Sequence, residues 1–234
     1  MIGSAYANGG KRCFDLALAV ASLSILGPLM LLIAAAVAAD SRGPVFYRQA
    51  RIGRDGRVFR IFKFRSMIVG AEFMGSGIRV EPADSRITRV GRFLRRTSLD
   101  EVAQVINVIL GDMSFIGPRP GLRYQVEQYD LNQRRRLLVR PGITGWAQIN
   151  GRNSIDWERR IQLDLEYLDR ISLRTDLLIL FRTVPTVLRG RGMISDIDYW
   201  KMKAARASRD AGADGGPEQP SGQAAPTEGA ARVE

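Results

Sequence analysis

Two adjacent carboxylates, Asp100 and Glu101, stand in the stretch 97–120, TSLDEVAQVINVILGDMSFIGPRP, with Arg95 and Arg96 before them and Arg119 between Pro118 and Pro120 after them. Ser98 followed three residues later by Glu101 is a capping-box pattern. It puts both acids in a first helical turn, where free backbone N–H groups and the helix dipole favour anions. On that reading neither carboxylate protonates readily. Capping alone would select such acids, so the pattern has a structural explanation as well as a chemical one. The flanking arginines favour chemistry, because a helix start beside guanidinium groups binds phosphate, yet two carboxylates there would repel it. A divalent cation shared by carboxylate and phosphate oxygens removes the conflict. Neighbouring helical residues diverge by roughly 100°, so one acid can face a reacting phosphorus while the other faces a metal.

Several elements must position these groups. Leu99, Val102, Val105, Ile106 and Ile109 recur at helical spacing and Gly111 is a stop, which predicts a helix with one core face. Upstream, strand-like runs at 45–47 and 58–64 flank the turn residues 53–56 and predict a β-hairpin. Lys63 and Arg65 share one face of it, as a solvated charge pair or as phosphate contacts. Residues 68–85 have no clear period and read as a loop; Arg86, Arg89 and Arg92 are expected on an exposed face leading into the central helix. Residues 124–138 read as an exposed, charge-rich helix whose run Arg134, Arg135, Arg136 is a solvated or interfacial face. In RPGITGWAQINGRN, 140–153, glycines mark turns or close backbone approach, and Asn150–Gly151 presents Arg152. Trp157, Ile161, Leu165 and Leu168 share a helical face, and 173–188 is a more apolar helix interrupted at Pro185. Such segments suit a membrane surface or the protein's own core.

Composition narrows the chemistry. The 234 residues include no histidine and one cysteine, Cys13, which excludes histidine bases, the usual zinc sites and an internal disulfide framework. A formal charge of +11 fits an acidic partner: nucleic acid, anionic lipid or a phosphorylated substrate. The apolar residues concentrate in 16–39, about 36 Å of helix and enough to cross a bilayer. A signal peptide would have a shorter apolar region. A straight crossing conflicts with cations on both flanks: Lys11 and Arg12 before the run, and Arg42, Arg48, Arg51, Arg54 and Arg57 after it. Gly27–Pro28 at the centre removes a backbone hydrogen bond and can turn the helix back to its own side, with Ser22 or Ser24 covering freed carbonyls. The re-entrant hairpin is the reading adopted. The expected organisation is an N-terminal segment and re-entrant membrane helix at 1–40, a catalytic domain at 41–203 that closes with Trp200, and a disordered tail at 204–234.

Taken in order, KRCFD, GPVFYRQARIGRDGRVFRIFKFRSM, RRTSLDEVAQVINVILGDMSFIGPRP and RPGITGWAQINGRN resemble the small monotopic phosphoglycosyl transferases, the bacterial sugar transferase family, over roughly residues 11–192. The resemblance implies a mainly α fold with a small β-hairpin, in which an N-terminal re-entrant membrane helix-break-helix and amphipathic interfacial helices seat the protein. It implies the cytoplasmic face of the bacterial inner membrane and transfer of a sugar 1-phosphate from a UDP-sugar to polyprenyl phosphate. Asp100 would be the nucleophile, forming a covalent phosphosugar intermediate, and Glu101 would hold Mg²⁺. Lys63, Arg95, Arg119 and Arg152, with Pro118 and Pro120 framing Arg119, would contact phosphates or the nucleotide. Partners are then the UDP-sugar, polyprenyl phosphate and membrane lipid, with no nucleic acid; a homo-oligomer is compatible. Where the family commonly has serine before the membrane proline, this chain has Gly27. The chain starts almost at the membrane run, as expected for the compact form without extra transmembrane helices. The rival without chemistry is a basic membrane-surface scaffold in which the two acids only cap a helix.

Overall fold

The apolar run folds as one helix, α1 (Lys11–Asp40), with Pro28 inside it. The structure is a computed structural model, and it describes residues 6–74, 84–151 and 155–188. Arg152, Trp200 and the 204–234 tail lie outside the described residues. Gly27 faces open space, with nothing within 4 Å of a Cβ built there. Ser24 donates its hydroxyl to Val20 O (3.0 Å). That carbonyl is not the one that Pro28 deprives of a partner, so the expected serine cover does not form at Ser24.

Both ends of α1 are fastened to the same body. At its start Lys11 pairs with Asp176 (2.5 Å), Arg12 donates to Val108 O (2.6 Å) and Ile109 O (3.1 Å), and Asp15 accepts from Ser114 Oγ (2.9 Å) and Phe115 N (3.0 Å). At its end Arg65 donates to the carbonyls of Val37 (3.4 Å) and Ser41 (2.6 Å), and Asp40 accepts from Val90 N (2.9 Å). Between these anchors Val20, Ile25, Leu31 and Leu32 are 64–75% exposed. Among the described residues α1 is the one helix long and apolar enough to cross a membrane.

The predicted hairpin forms. Strands β1 (Phe46–Ile52) and β2 (Val58–Phe64) pair antiparallel from Phe46↔Phe64 to Ile52↔Val58. The turn between them uses left-handed backbone at Asp55 (φ 55°) and Gly56 (φ 76°), which glycine adopts freely and a short polar side chain tolerates. Inward residues of β2 join two clusters of buried side chains. Phe59 and Ile61 meet Ala19, Val105, Val108 and Met113; Phe64 meets Ile33, Val37, Leu94 and Ala103. Helix α1 contributes to both clusters, so burial of its inner stripe ties the membrane element to the hairpin.

Helix α2 (Arg89–Thr97) starts at Thr88, whose hydroxyl accepts from Gly91 N (2.9 Å), and ends at Ser98. A 3₁₀ segment, Leu99–Gln104, runs into α3 (Val105–Leu110), which Gly111 (φ 91°) stops as predicted. The buried face of this stretch is Ala103, Val105, Asn107 and Val108, whereas Ile109 is 40% exposed, because the 3₁₀ opening changes the phase of the helical repeat. Strands β3 (Ser114–Ile116) and β4 (Gly142–Thr144) pair in parallel. Between them lie α4 (Arg123–Glu127) and a 3₁₀ segment, Gln133–Leu138, in place of the single exposed helix expected. The break turns Tyr129 and Arg136 inward. Helix α5 (Trp146–Ile149) precedes α6 (Trp157–Asp169) and α7 (Leu173–Leu188). The stripe Trp157, Ile161, Leu165 and Leu168 of α6 is buried, so it packs on the protein's own core. Helix α7 continues through Pro185 without interruption and carries buried Asp176 and Ile179 opposite exposed Phe181 and Val184.

Arg86, expected on an exposed face, is buried. Its guanidinium pairs with Asp84 (2.6 Å) and donates to the carbonyls of Ala71 and Met74 (2.6 Å each), while Arg89 and Arg92 are exposed as expected.

Candidate active site

Asp100 and Glu101 open the 3₁₀ segment, and the capping box does not form. Ser98 takes left-handed backbone (φ 59°) as it closes α2, and its side chain makes no cap bond. A residue in that conformation ends one helix and starts the next, leaving the Glu101 carboxylate free to point elsewhere. It meets two cations: Lys63 Nζ at 2.7 Å, and Arg119, whose two terminal nitrogens reach both oxygens at 2.6 and 3.2 Å. This fork is the bidentate arrangement guanidinium favours.

Each cation is placed by backbone contacts that the sequence sets up. Asn107 on α3 accepts from Phe62 N (2.8 Å) and donates to Arg60 O (2.8 Å), clamping the free edge of β2 to the stretch that carries the acids. Lys63, the next residue on β2, is thereby brought to Glu101. Arg119 follows β3 at a crowded crossing: Gly117 N donates to Thr144 O (2.9 Å), and Gly142 N donates to Pro118 O (2.9 Å). A Cβ on Gly117 would lie 2.6 Å from Arg140 O, and one on Gly142 would lie 2.1 Å from Gly117 N. Gly142 and Gly145 thus permit backbone to approach backbone. Behind Arg119, its own carbonyl accepts from Arg136 (3.2 Å), and Pro120 O accepts from Arg51 (3.3 Å). Arg136 is buried against Asp164 at 2.6 Å, which corrects its expected solvated role. Nothing in the spacing of the arginine triplet distinguishes it from its exposed neighbours.

Lys63, Arg95, Asp100, Glu101 and Arg119 line one cleft of about 560 Å³. Pro118 and Pro120 do not line it; they flank a small recess behind Arg119 and act on the site only by fixing that arginine's backbone. Arg65 lines the cleft but is 5% exposed, and it spends its donors on carbonyls at the end of α1, so it is neither a solvated charge nor a free phosphate contact. Arg48, Arg51, Arg96, Gln148, Arg160 and Asp164 also line the cleft, and of these only Arg96 is tied to the site by the sequence. They come from four separate segments, and only folding brings them together.

The two acids sit in unlike electrostatic states. Burial pushes Asp100 above the usual carboxylate range, outweighing the pull of Lys63, Arg95 and Arg119 in the other direction, with the Glu101 charge adding to the rise. Burial would raise Glu101 too, but the charges and hydrogen bonds of Arg119 and Lys63 prevail and hold it well below that range. Glu101 is thus shifted in the direction the sequence led us to expect, and Asp100 in the opposite direction, because burial outweighs the neighbouring cations at Asp100 alone. Among the described residues Asp100 makes no hydrogen bond, so its oxygen lone pairs remain available for attack on an electrophile.

No three His, Cys, Asp or Glu side chains cluster as a metal site among the described residues. Carboxylate oxygen is the donor type that Mg²⁺ takes, together with substrate phosphate oxygens and water, and at Glu101 both oxygens are engaged by Lys63 and Arg119, so a cation there would share or replace those partners.

The protein-family description "Bacterial sugar transferase" matches residues 6–190. The chain is 43% identical over 183 residues to the uncharacterized sugar transferase EpsL of Bacillus subtilis, covering 78% of this chain and 89% of EpsL. It is 40% identical over 196 residues to the exopolysaccharide production protein ExoY of Rhizobium meliloti, covering 78% of this chain and 87% of that protein. Against the undecaprenyl-phosphate galactose phosphotransferase of Salmonella typhimurium it is 39% identical over 196 residues, covering 78% of this chain but 41% of that longer relative. With the acids, the cations and the membrane-length helix all inside the matched region, this chain belongs to the bacterial sugar transferase family.

Proposed function

We propose that the chain is a phosphoglycosyl transferase that moves a sugar 1-phosphate from a UDP-sugar to polyprenyl phosphate at the cytoplasmic face of the bacterial inner membrane. The observation that carries this is the pairing of a cation-saturated Glu101 with a buried, hydrogen-bond-free Asp100 in one basic cleft. A diphosphate needs the cations, and a covalent route needs the unencumbered carboxylate.

In the first step an Asp100 oxygen attacks the β-phosphorus of the donor. The bond from that phosphorus to the bridging oxygen breaks, and UMP departs with the electron pair. In the second step a phosphate oxygen of the acceptor attacks the same phosphorus and the aspartyl–phosphorus bond breaks. The products are polyprenyl-diphosphate-sugar and the restored Asp100 carboxylate. Lys63, Arg95 and Arg119 hold the phosphates, and Arg152 is assigned there by its place in the NGRN motif. Glu101 fixes Lys63 and Arg119 and, with the diphosphate, would hold Mg²⁺, which when bound offsets charge on the phosphate oxygens.

The monotopic topology is part of the proposal. It is supported by the fastening of both ends of α1 to one body, which a straight crossing would put on opposite sides of the bilayer. A bend at Gly27–Pro28 and contact of the exposed α7 stripe with headgroups complete it. The name of the undecaprenyl-phosphate galactose phosphotransferase supports the acceptor, and that of the exopolysaccharide production protein supports a place in glycan assembly, which we take to be its first membrane step.

The test uses purified chain in detergent with UDP-sugars, Mg²⁺ and polyprenyl phosphate. Release of UMP with a phosphosugar adduct on Asp100 by intact mass is expected. No release from any UDP-sugar would favour the non-catalytic scaffold. Release without an adduct, with kinetics requiring both substrates bound together, would make Asp100 a base in a single displacement.

A further inference from the structure

The cleft is lined by apolar as well as charged groups. Pro44, Phe46, Met67, Ile68 and Val69 contribute apolar surface to it. Met67, Ile68 and Val69 follow β2 directly, within a few residues of Lys63, which touches Glu101.

That apolar lining leads outward to the membrane helix. Val69 packs beside Gly43, just past the end of α1, where a Cβ would come within 2.6 Å of its side chain. Beyond it the turn 68–74 displays Val69 at 61% and Phe73 at 87% exposure. The display is braced. Ala71 N donates to Ile68 O (3.2 Å), Phe73 N donates to Gly70 O (2.9 Å), and buried Arg86 grips the carbonyls of Ala71 and Met74. Tyr47 ties the same turn to β1 by donating to Glu72 (2.8 Å). Phe73 thus stands exposed on a braced turn, next to Glu72, which lines the cleft.

We infer that the isoprenoid chain of the acceptor covers it: polyprenyl phosphate enters over the 68–73 turn, its first units lying on Ile68, Val69 and Phe73, its phosphate reaching the cations beside Asp100. This assignment rests on the proposed transferase function and adds the acceptor's path. The donor's one apolar surface is the flat face of its uracil, whereas the acceptor joins one charged end to a long apolar chain, the two kinds of lining the cleft carries. The chain leaves beside the end of α1, where Val69 packs by Gly43.

The two half-reactions separate this path from the chemistry. In detergent micelles, where bilayer anchoring contributes nothing, the burst of UMP from UDP-sugar without acceptor reports the first, and the acceptor-dependent loss of the Asp100 adduct reports the second. Phe73→Ser should leave the burst at its wild-type rate and amplitude and raise KM for polyprenyl phosphate about tenfold, the effect of exposing part of one large apolar contact. Phe73→Leu should restore most of the loss. An unchanged KM in Phe73→Ser would overturn the path and leave Phe73 as a bilayer contact. Slowing of the UMP burst to the same degree would overturn it as well, since the donor has no contact there. No burst from the wild-type chain would overturn the function itself and this assignment with it.

Discussion

At the scale of single residues, neighbouring carboxylates of one chemical type are driven apart by what surrounds them. Glu101 is fixed by a lysine and a forked arginine, while Asp100 is buried with charges near but no hydrogen bond. Asp100→Asn should abolish the phosphosugar adduct, read by intact mass. Because burial raises Asp100 in the folded protein, the folded state holds that proton more tightly than the unfolded chain does. Its contribution to stability is then full below the unfolded value of about 3.9 and is lost as pH rises through the folded value. Asp100→Asn should therefore melt at a higher temperature than wild type at pH 7, with the difference vanishing near pH 3. Glu101 has the opposite sign: its contribution is present at neutral pH and is lost only as pH falls through its lowered value. Arg119→Lys keeps the charge and loses the fork. Charge-assisted hydrogen bonds are worth about 1.5–3 kcal/mol, so kcat/KM for the UDP-sugar should fall roughly 10- to 100-fold in initial-rate assays.

At the scale of elements, the site depends on two joints. One is Asn107, fully buried, whose amide completes the edge of β2. Asn107→Leu would leave Phe62 N and Arg60 O unpaired, and each buried unpaired group costs about 1–3 kcal/mol. Urea unfolding should show a loss of at least ~2 kcal/mol, with the midpoint moving and the slope unchanged. The other joint is the glycine crossing at Gly117, Gly142 and Gly145. There a single methyl group on Gly117 must displace the backbone of Arg140, and Arg119 two residues on moves with it. The predicted hairpin and the end of α3 were legible because turn chemistry and strand alternation are local. The fate of 97–104 was not legible, since a serine three residues before a glutamate suits either a capping box or a left-handed link between two helices. Which one forms depends on whether the glutamate has a better partner across the fold.

At the scale of the whole molecule, the membrane element is part of the core. Ala19, Ile33 and Val37 are buried against the hairpin and the acid-bearing stretch, while the other side of α1 is apolar and exposed. The helix and the site must therefore fold together. The exposed native Cys13, near the start of α1, should label from the cytoplasmic side with a membrane-impermeant maleimide in inverted vesicles. In a Cys13→Ser background, Arg42→Cys beyond the other end should label from that same side. Labelling from opposite sides would refute the monotopic reading.

The sequence by itself determined the hairpin and the membrane-length helix, and its motifs, through the family they resemble, named the two acids with Lys63, Arg95 and Arg119 as their companions. These are carried by local order, by turn residues and by motifs whose spacing survives without any knowledge of the fold. Only the tertiary structure decided that the capping box is absent, that Arg65, Arg86 and Arg136 are buried braces, and that one cleft carries both charged and apolar lining. Each of those outcomes depends on which distant group a side chain meets. An arginine reads the same in sequence whether it faces water, a carbonyl or a phosphate.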